Sequence, residues 1–461
     1  MGAKAYERIQ EWHKGFNLRE VELCSFDKAK GKPFSQFLQA PYLIPENYAS
    51  GIILPSPAVD VSDFSNVDRW FHKLTKLYGL SKNPFFDNAH SEYFVSLYRG
   101  LPVARGVAYI DSLYEEPGYL KVGWIGSVES IGVPEVGDML MESMLDYLSA
   151  RGVDKIIGPG RWNASNSYVG AKVTNGKKPF FMEPENAPHI TELYKRHAQA
   201  EETKWYSSII KLASFRKRLN LSKERGTVDK LESENKGGVS LRHINKDDKW
   251  SFKRDVESLI GLYNDAWDDS PKGSKMKHKQ FRAVTSFELD SMVSLLEQVI
   301  SEEMVVMAEK KDKLIGCVVV LPDINEIIWK RQQIQYKEFE DALNRDSLYQ
   351  FLDQAAHFSP SFSPLSCLKE SVAMARGVKK GTYGSRYRAL IMGVLPGHKK
   401  GTVLRMLKYL YENAGNVPED VEISSSLMCE DNQDILKLAN KLGEKGIEWQ
   451  VYRFPVQGSS E

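Results

Sequence analysis

Four cysteines in 461 residues, at positions 24, 317, 367 and 429, stand too far apart to form a paired metal motif. The opening MGAKAYERIQEWHKG has no hydrophobic signal core, so the cysteines read as reduced thiols and the protein as cytoplasmic. Gly2 is present, but position 6 is Tyr, which argues against myristoylation. Long apolar runs are missing too, and none approaches the ~20 residues of a membrane span. An excess of either charge is absent: 62 Lys+Arg against 61 Asp+Glu leave +1, which predicts no nucleic-acid or membrane partner. The sequence holds no G-x-x-x-x-G-K-[ST], H-E-x-x-H or G-x-S-x-G, which removes three common catalytic templates, and no metal site is expected.

What is there is ordinary globular composition, 42% hydrophobic and 27% charged, over a length that suits two or three domains. The most informative stretch is Arg388–Gly415, RALIMGVLPGHKKGTVLRMLKYLYENAG. Ala389 to Leu395 is an apolar run of strand length. Pro396 and Gly397 end it, and a basic loop, His398-Lys399-Lys400-Gly401-Thr402, follows. Val403, Met406, Leu407, Leu410 and Tyr411 then recur at helical spacing. Strand, basic glycine-bearing loop and helix together outline an anion cradle, in which loop amides and the positive helix end face a phosphate.

This stretch resembles the acyl-CoA loop of the GNAT-type N-acetyltransferases, a strand running into Gln/Arg-x-x-Gly-x-Gly/Ala and a helix. Aligned from Pro396, the family's Gln/Arg falls on Gly397 and its glycines on Lys400 and Thr402, so the motif is degenerate here. The order of segments carries the resemblance further. Asp63–Tyr78 reads as a helix, Tyr93–Tyr98 and Val103–Asp111 as a hairpin, Val122–Val128 as a strand, and Met141–Leu148 as an amphipathic helix. Residues 155–159 start another strand. Arg19–Phe37 is a mixed pattern, and Pro41, Pro45, Pro55 and Pro57 predict a loop-rich segment. After a charged linker, a second pass of the same order begins: strand Val239–Ile244, helix Phe252–Trp267, hairpin Val305–Ala308 with Leu314–Leu321. The cofactor strand and helix follow, then strand Val421–Met428, helix Asp431–Leu442 and strand Trp449–Phe454.

The expected fold is therefore α/β with a mixed sheet, two tandem GNAT-like domains similar to an uncharacterised bacterial group. Residues 1–215 form a half without a cofactor loop, 216–238 a linker, and 239–461 a half with a degenerate acyl-CoA loop and an insertion at 329–388. In the first half the net acidic Ile131–Asp138 replaces the basic loop, and an anionic pyrophosphate should be repelled there.

The resemblance implies acetyl-CoA or another acyl-CoA as cofactor. It places Met392, Gly393, Val394 and Leu395 at the thioester carbonyl, and His398, Lys399, Lys400, Gly401 and Thr402 at the pyrophosphate. Asn432 matches a family asparagine and is equally an N-cap. Glu430 and Asp431, beside the last parallel strand, are the candidate catalytic bases and are equally helix-dipole partners. The family's acid, a tyrosine, falls on Ala439. Asn163, Ser165 and Asn166 form a neutral hydrogen-bonding loop that suits a polar substrate. The function expected is transfer of an acetyl group to an amine, small-molecule or peptide, by a monomer or homodimer. The alternative is an inactive binding protein on the same fold.

Overall fold

The computed structural model describes residues 3–55, 64, 83–161, 169–174, 176–214, 217, 238–267, 280–289, 297, 300–379, 384–395, 397–413 and 420–457. The helix expected over 63–78 lies outside these except for Phe64, as does the linker except for residues 217 and 238.

Described residues of the amino-terminal half form α1 (Ala3–Lys14), β1 (Val21–Phe26), α2 (Gly31–Leu43), α3 (Pro45–Ala49), β2 (Ala89–Tyr98), β3 (Leu101–Asp111) and β4 (Val122–Ser130). They continue through α4 (Pro134–Ser149), β5 (Lys155–Gly158), β6 (Ala171–Lys172), α5 (Pro188–His197) and β7 (Ala200–Lys211). The carboxy-terminal half begins with β8 (Val239–His243), α6 (Lys249–Trp267), β9 (Val305–Lys310) and β10 (Lys313–Pro322). Three helices follow, α7 (Asn325–Ala342), α8 (Leu348–Phe358) and α9 (Pro364–Lys379). The half ends with β11 (Arg386–Val394), α10 (Lys399–Asn413), β12 (Glu422–Cys429), α11 (Gln433–Leu442) and β13 (Glu444–Phe454).

All thirteen strands join one mixed sheet, ordered β1-β2-β3-β4-β5-β13-β7-β12-β11-β10-β9-β8, with β6 on β13. The order is the same from either edge. β1–β5 and β8–β12 run inward as equivalent series, and each half's last strand lies beside the other half's fifth. Two like α/β units are present, as the order of segments predicted, but they exchange their closing strands. Equivalent hairpins even share a turn. Arg99 and Gly100 have φ of 50° and 82°, and Lys311 and Asp312 have 51° and 58°. Two consecutive positive φ values match the twist of the flanking strands.

The mixed stretch from Arg19 to Phe37 holds β1 and the first half of α2, and the loop-rich stretch expected after it holds the rest of α2 and all of α3. Pro45 is the first residue of α3, where the missing N–H costs nothing. Pro41 sits near the end of α2, whose Phe34, Phe37, Leu38, Tyr42 and Leu43 are all buried. Apolar burial outweighs the proline signal there. The 329–388 segment supplies most of α7 and all of α8 and α9. Phe339 stacks on Tyr48 at 4.5 Å between ring centroids, and Phe351 packs on Trp12 at 5.2 Å. The segment therefore docks on the amino-terminal half.

Candidate functional site

Two parallel strand pairs open into forks. β11 and β12 pair from Arg386↔Glu422 to Ala389↔Ser425 and no further. Beyond that point β12 stays with β7, through Met428↔Tyr206 and Cys429↔Trp205, while β11 stays with β10. A register shift at Val319/Val320 of β10 marks a bulge in β11 at Leu390, where the opening begins. In the other half β4 and β5 pair from Val122↔Lys155 to Trp124↔Ile157, then separate. That fork is crossed by backbone: Gly160 N donates to Ile125 O at 2.9 Å. A Cβ on Gly126 would lie 1.8 Å from Gly160 O, so only glycine fits.

The two helix heads beyond the forks differ. Before α4, Gly132 N donates to Glu46 Oε1 at 2.5 Å, and His13 Nε2 lies 3.2 Å from the same oxygen. Burial raises the pKa of Glu46, but contact with His13 and the nearby His189 outweigh it and hold the carboxyl below its ordinary range. The protein's own carboxylate thus occupies the positive end of α4, a feature the sequence reading attributed to acidic loop residues instead. Gly397, just before α10, and Gly401, in its first turn, take φ of 83° and 78°, and a Cβ on Gly397 would meet nothing within 4 Å. Thr402 Oγ1 donates to His398 O at 2.7 Å, and Leu395 N donates to Ile315 O at 2.8 Å. The Thr402 hydroxyl and the Leu395 amide are therefore committed within the protein. Lys399 and Lys400 open α10.

On one face of the β11/β12 fork lies an apolar groove of about 70 Å³, lined by Ala389, Met392, Leu407, Leu410, Ile423 and Ser425 among others. Side chains alternate along strands, and Arg388, Ser424 and Ser426 point to the opposite face. There the loop between β6 and α5 meets the fork. Glu183 Oε1 accepts from Ser424 Oγ at 2.6 Å and Ser426 Oγ at 2.5 Å, and Glu183 Oε2 from Phe180 N at 2.8 Å. Arg388 donates Nε to Ser426 Oγ and Nη1 to Phe181 O, both at 3.0 Å. Met182, between them in sequence, holds φ of 66°.

Asp323 anchors the same loop. Its Oδ1 accepts from Phe181 N at 2.8 Å and Asn325 N at 3.2 Å, and Oδ2 lies 3.2 Å from Arg386 Nη1. Burial pushes its pKa up to about 6, against the lowering by Arg386 and the two amides. A carboxyl that binds its proton more tightly when folded makes stability fall as pH rises between its unfolded and folded values. Asp323→Asn keeps an acceptor for both amides but cannot ionise. Urea unfolding should therefore show wild type losing stability relative to the variant between about pH 4 and pH 6.5. The loss is at most about 3 kcal/mol. A difference that is flat with pH would refute this.

Glu183 also lines a cavity of about 190 Å³ between the loop, the β4 side of the first fork, residues 52–55 and the start of α7. Two other carboxylates face it. Glu129 is held by Arg105 Nη2 at 2.7 Å and by Asn47 Nδ2 at 3.2 Å. Glu185 is 3.3 Å from Lys172 Nζ and accepts from Ile53 N at 3.2 Å, and burial raises its pKa against the lowering by Lys172.

Glu430 and Asp431 lie elsewhere, in a solvent-open hollow of about 560 Å³ with Tyr206 and Lys437 that shares no lining residue with the groove. Glu430 Oε1 accepts from Lys204 N at 3.1 Å, tying the end of β12 to β7. Asn432 accepts from Ile435 N at 3.4 Å and caps α11. Asn163, Ser165 and Asn166 fall outside the described residues. The structure thus brings Met392 to the groove and leaves the two acidic residues apart from it. Glu183 and Arg388 were missed as site residues. The two hydroxyls that bond Glu183 are more than 200 residues away in sequence, and no local pattern marks them.

No family model matches the chain. A curated relative, the bacterial ceramide synthase of Caulobacter vibrioides, is 29% identical over 258 residues, 53% of this chain and 60% of that protein. Protein YghO of Escherichia coli is 26% identical over 249 residues, 54% of this chain and 59% of that protein. The matches therefore span about three fifths of either relative. Among solved structures, the chain is similar to a tandem GNAT protein from the clavulanic acid biosynthesis pathway, at 10% identity and a TM-score of 0.45. That match covers 96% of this chain and 100% of the other. It is also similar to a GCN5-related N-acetyltransferase from Sphaerobacter thermophilus, at 10% identity and a TM-score of 0.42, covering 95% and 97%.

Proposed function

We propose that the chain is an N-acyltransferase that moves an acyl group, acetyl or longer, from a coenzyme A thioester to an amine. The observation that carries this reading is the β11/β12 fork, open beside a glycine-bearing helix head and backed by an apolar groove. In the reaction the amine nitrogen bonds to the thioester carbonyl carbon, the carbon–sulfur bond breaks, and the amine's proton ends on the departing thiol. The edge of β11 at Met392, Gly393 and Val394 would face the carbonyl, with the Leu395 amide already spent in the sheet. Residues Gly397 to Thr402 would take the pyrophosphate at the positive end of α10. The match to a protein called a ceramide synthase supports amide formation, since a ceramide is an N-acylated amine.

One observation favours the second reading, a binding protein without catalysis. Ala439 stands where the family's acid would be, and it is buried, with its carbonyl accepting from Ser208 Oγ at 3.2 Å. Titration calorimetry with acetyl-CoA and with CoA tests the donor half of the reading. Saturable binding is expected, and Lys399→Glu with Lys400→Glu should weaken it at least tenfold, about 1.4 kcal/mol. No binding to folded wild type, or full affinity in the double variant, would overturn it. Amide production from a bound thioester then separates enzyme from binder.

A further inference from the structure

Resting on that reading for its place in the reaction, we propose that the cavity of about 190 Å³ is the acceptor site, built for a cationic amine with an apolar body, and that Glu183 holds the ammonium group. Three carboxylates and two arginines, Arg105 and Arg161, line the cavity. Glu129 is paired with Arg105 and Glu185 with Lys172, and Arg161 lies over the Phe64 ring at 4.6 Å. Glu183 is 5% exposed, and among the described residues it has three hydrogen-bond donors but no ion-pair partner. One link to a cation runs through a hydroxyl, since Arg388 Nε donates to Ser426 Oγ, whose own proton is directed at Glu183. Three donors suit a carboxylate in its acceptor-only form. A buried carboxylate with no cation in direct contact is costly, and an ammonium ion in the adjoining cavity supplies that contact.

Position supports the same assignment. Ser424 and Ser426 are the β12 residues on either side of Ser425, the last to pair with β11. The groove lies on the Ser425 face and Glu183 on the other. A donor in the groove and an amine at Glu183 therefore approach the fork from opposite faces of one sheet. The walls of the cavity fit the rest of such a ligand, since Ile52, Leu54, Val128, Phe181, Ile190 and Ile328 line it.

The probe is hexylamine, with hexanol as its neutral isostere, titrated into the full chain without acyl donor at pH 7. Wild type should bind the amine at least tenfold more tightly than the alcohol. Glu183→Gln, shown folded by its circular dichroism and melting curve, should lose that preference. Equal affinity for amine and alcohol in wild type would overturn the proposal whether or not the variant folds. Retention of the full preference by folded Glu183→Gln would do the same. Coenzyme A titration is read separately. Amine preference without coenzyme A binding keeps the cation site and removes the donor reading, whereas coenzyme A binding without amine preference does the reverse.

Discussion

Neither half of the chain is expected to fold when expressed without the other. β13 lies between β5 and β7, pairing Arg453 with Ile157 on one side and Trp449 with Trp205 on the other. Its Trp449, Val451, Tyr452 and Phe454 are buried among amino-terminal residues. A fragment of residues 1–215 would lose those side chains and leave β5 and β7 with unpaired facing edges. Burial of each large apolar side chain contributes roughly 1.5–3 kcal/mol, so four of them amount to most of the 5–15 kcal/mol that a domain typically has. The ring contacts across α3/α7 and α1/α8 would be lost as well. The carboxy-terminal fragment, 239–461, would lose β7 from beside β12 in the same way. Circular dichroism of each fragment should show no cooperative melt, while co-expression should yield a folded complex of equal stoichiometry. A cooperative transition from residues 1–215 alone would show that the strand exchange is not required for folding.

This exchange explains what was legible in the sequence and what was not. Strands 93–98 and 103–111 and the two hairpin turns are local: short apolar runs, buried along their whole length, flank turn residues of positive φ. The repetition of segment order was also visible, because each unit carries its own strands and helices. Where the closing strands go was not visible. β13 could pair within its own unit or across to the other, and its apolar pattern suits either neighbour. The site divides in the same way. The strand, loop and helix at 388–413 are contiguous and were found, and Asn432 caps a helix as its position suggested. Glu183 lies in PFFMEPENAP, where no helical or strand period marks a site. Its chemistry arises from Ser424 and Ser426, which fold against it from the other half.

Arg388→Ala should cost about 3–5 kcal/mol, the range for stranding one partner of a buried charged network. The side chain is 1% exposed, and its hydrogen bonds tie β11 to Ser426 and to the carbonyl of Phe181. Its removal leaves that carbonyl without its donor and withdraws positive charge from the vicinity of Glu183. If the penalty comes largely from the carboxylate left behind, Glu183→Gln should recover part of it. The double variant would then lie above the additive value by about 1–3 kcal/mol. Urea unfolding of the four proteins measures the cycle. A single-variant loss below about 1 kcal/mol would mean that the loop is held at the fork by Asp323 and its amides instead. The amine titration should move in the opposite sense. With Arg388 gone, Glu183 has less positive charge nearby, so folded Arg388→Ala should bind hexylamine more tightly than wild type while being less stable. Those opposite signs distinguish a carboxylate set aside for a cation from one that serves only to brace the loop, because loosening a brace would weaken binding and stability together.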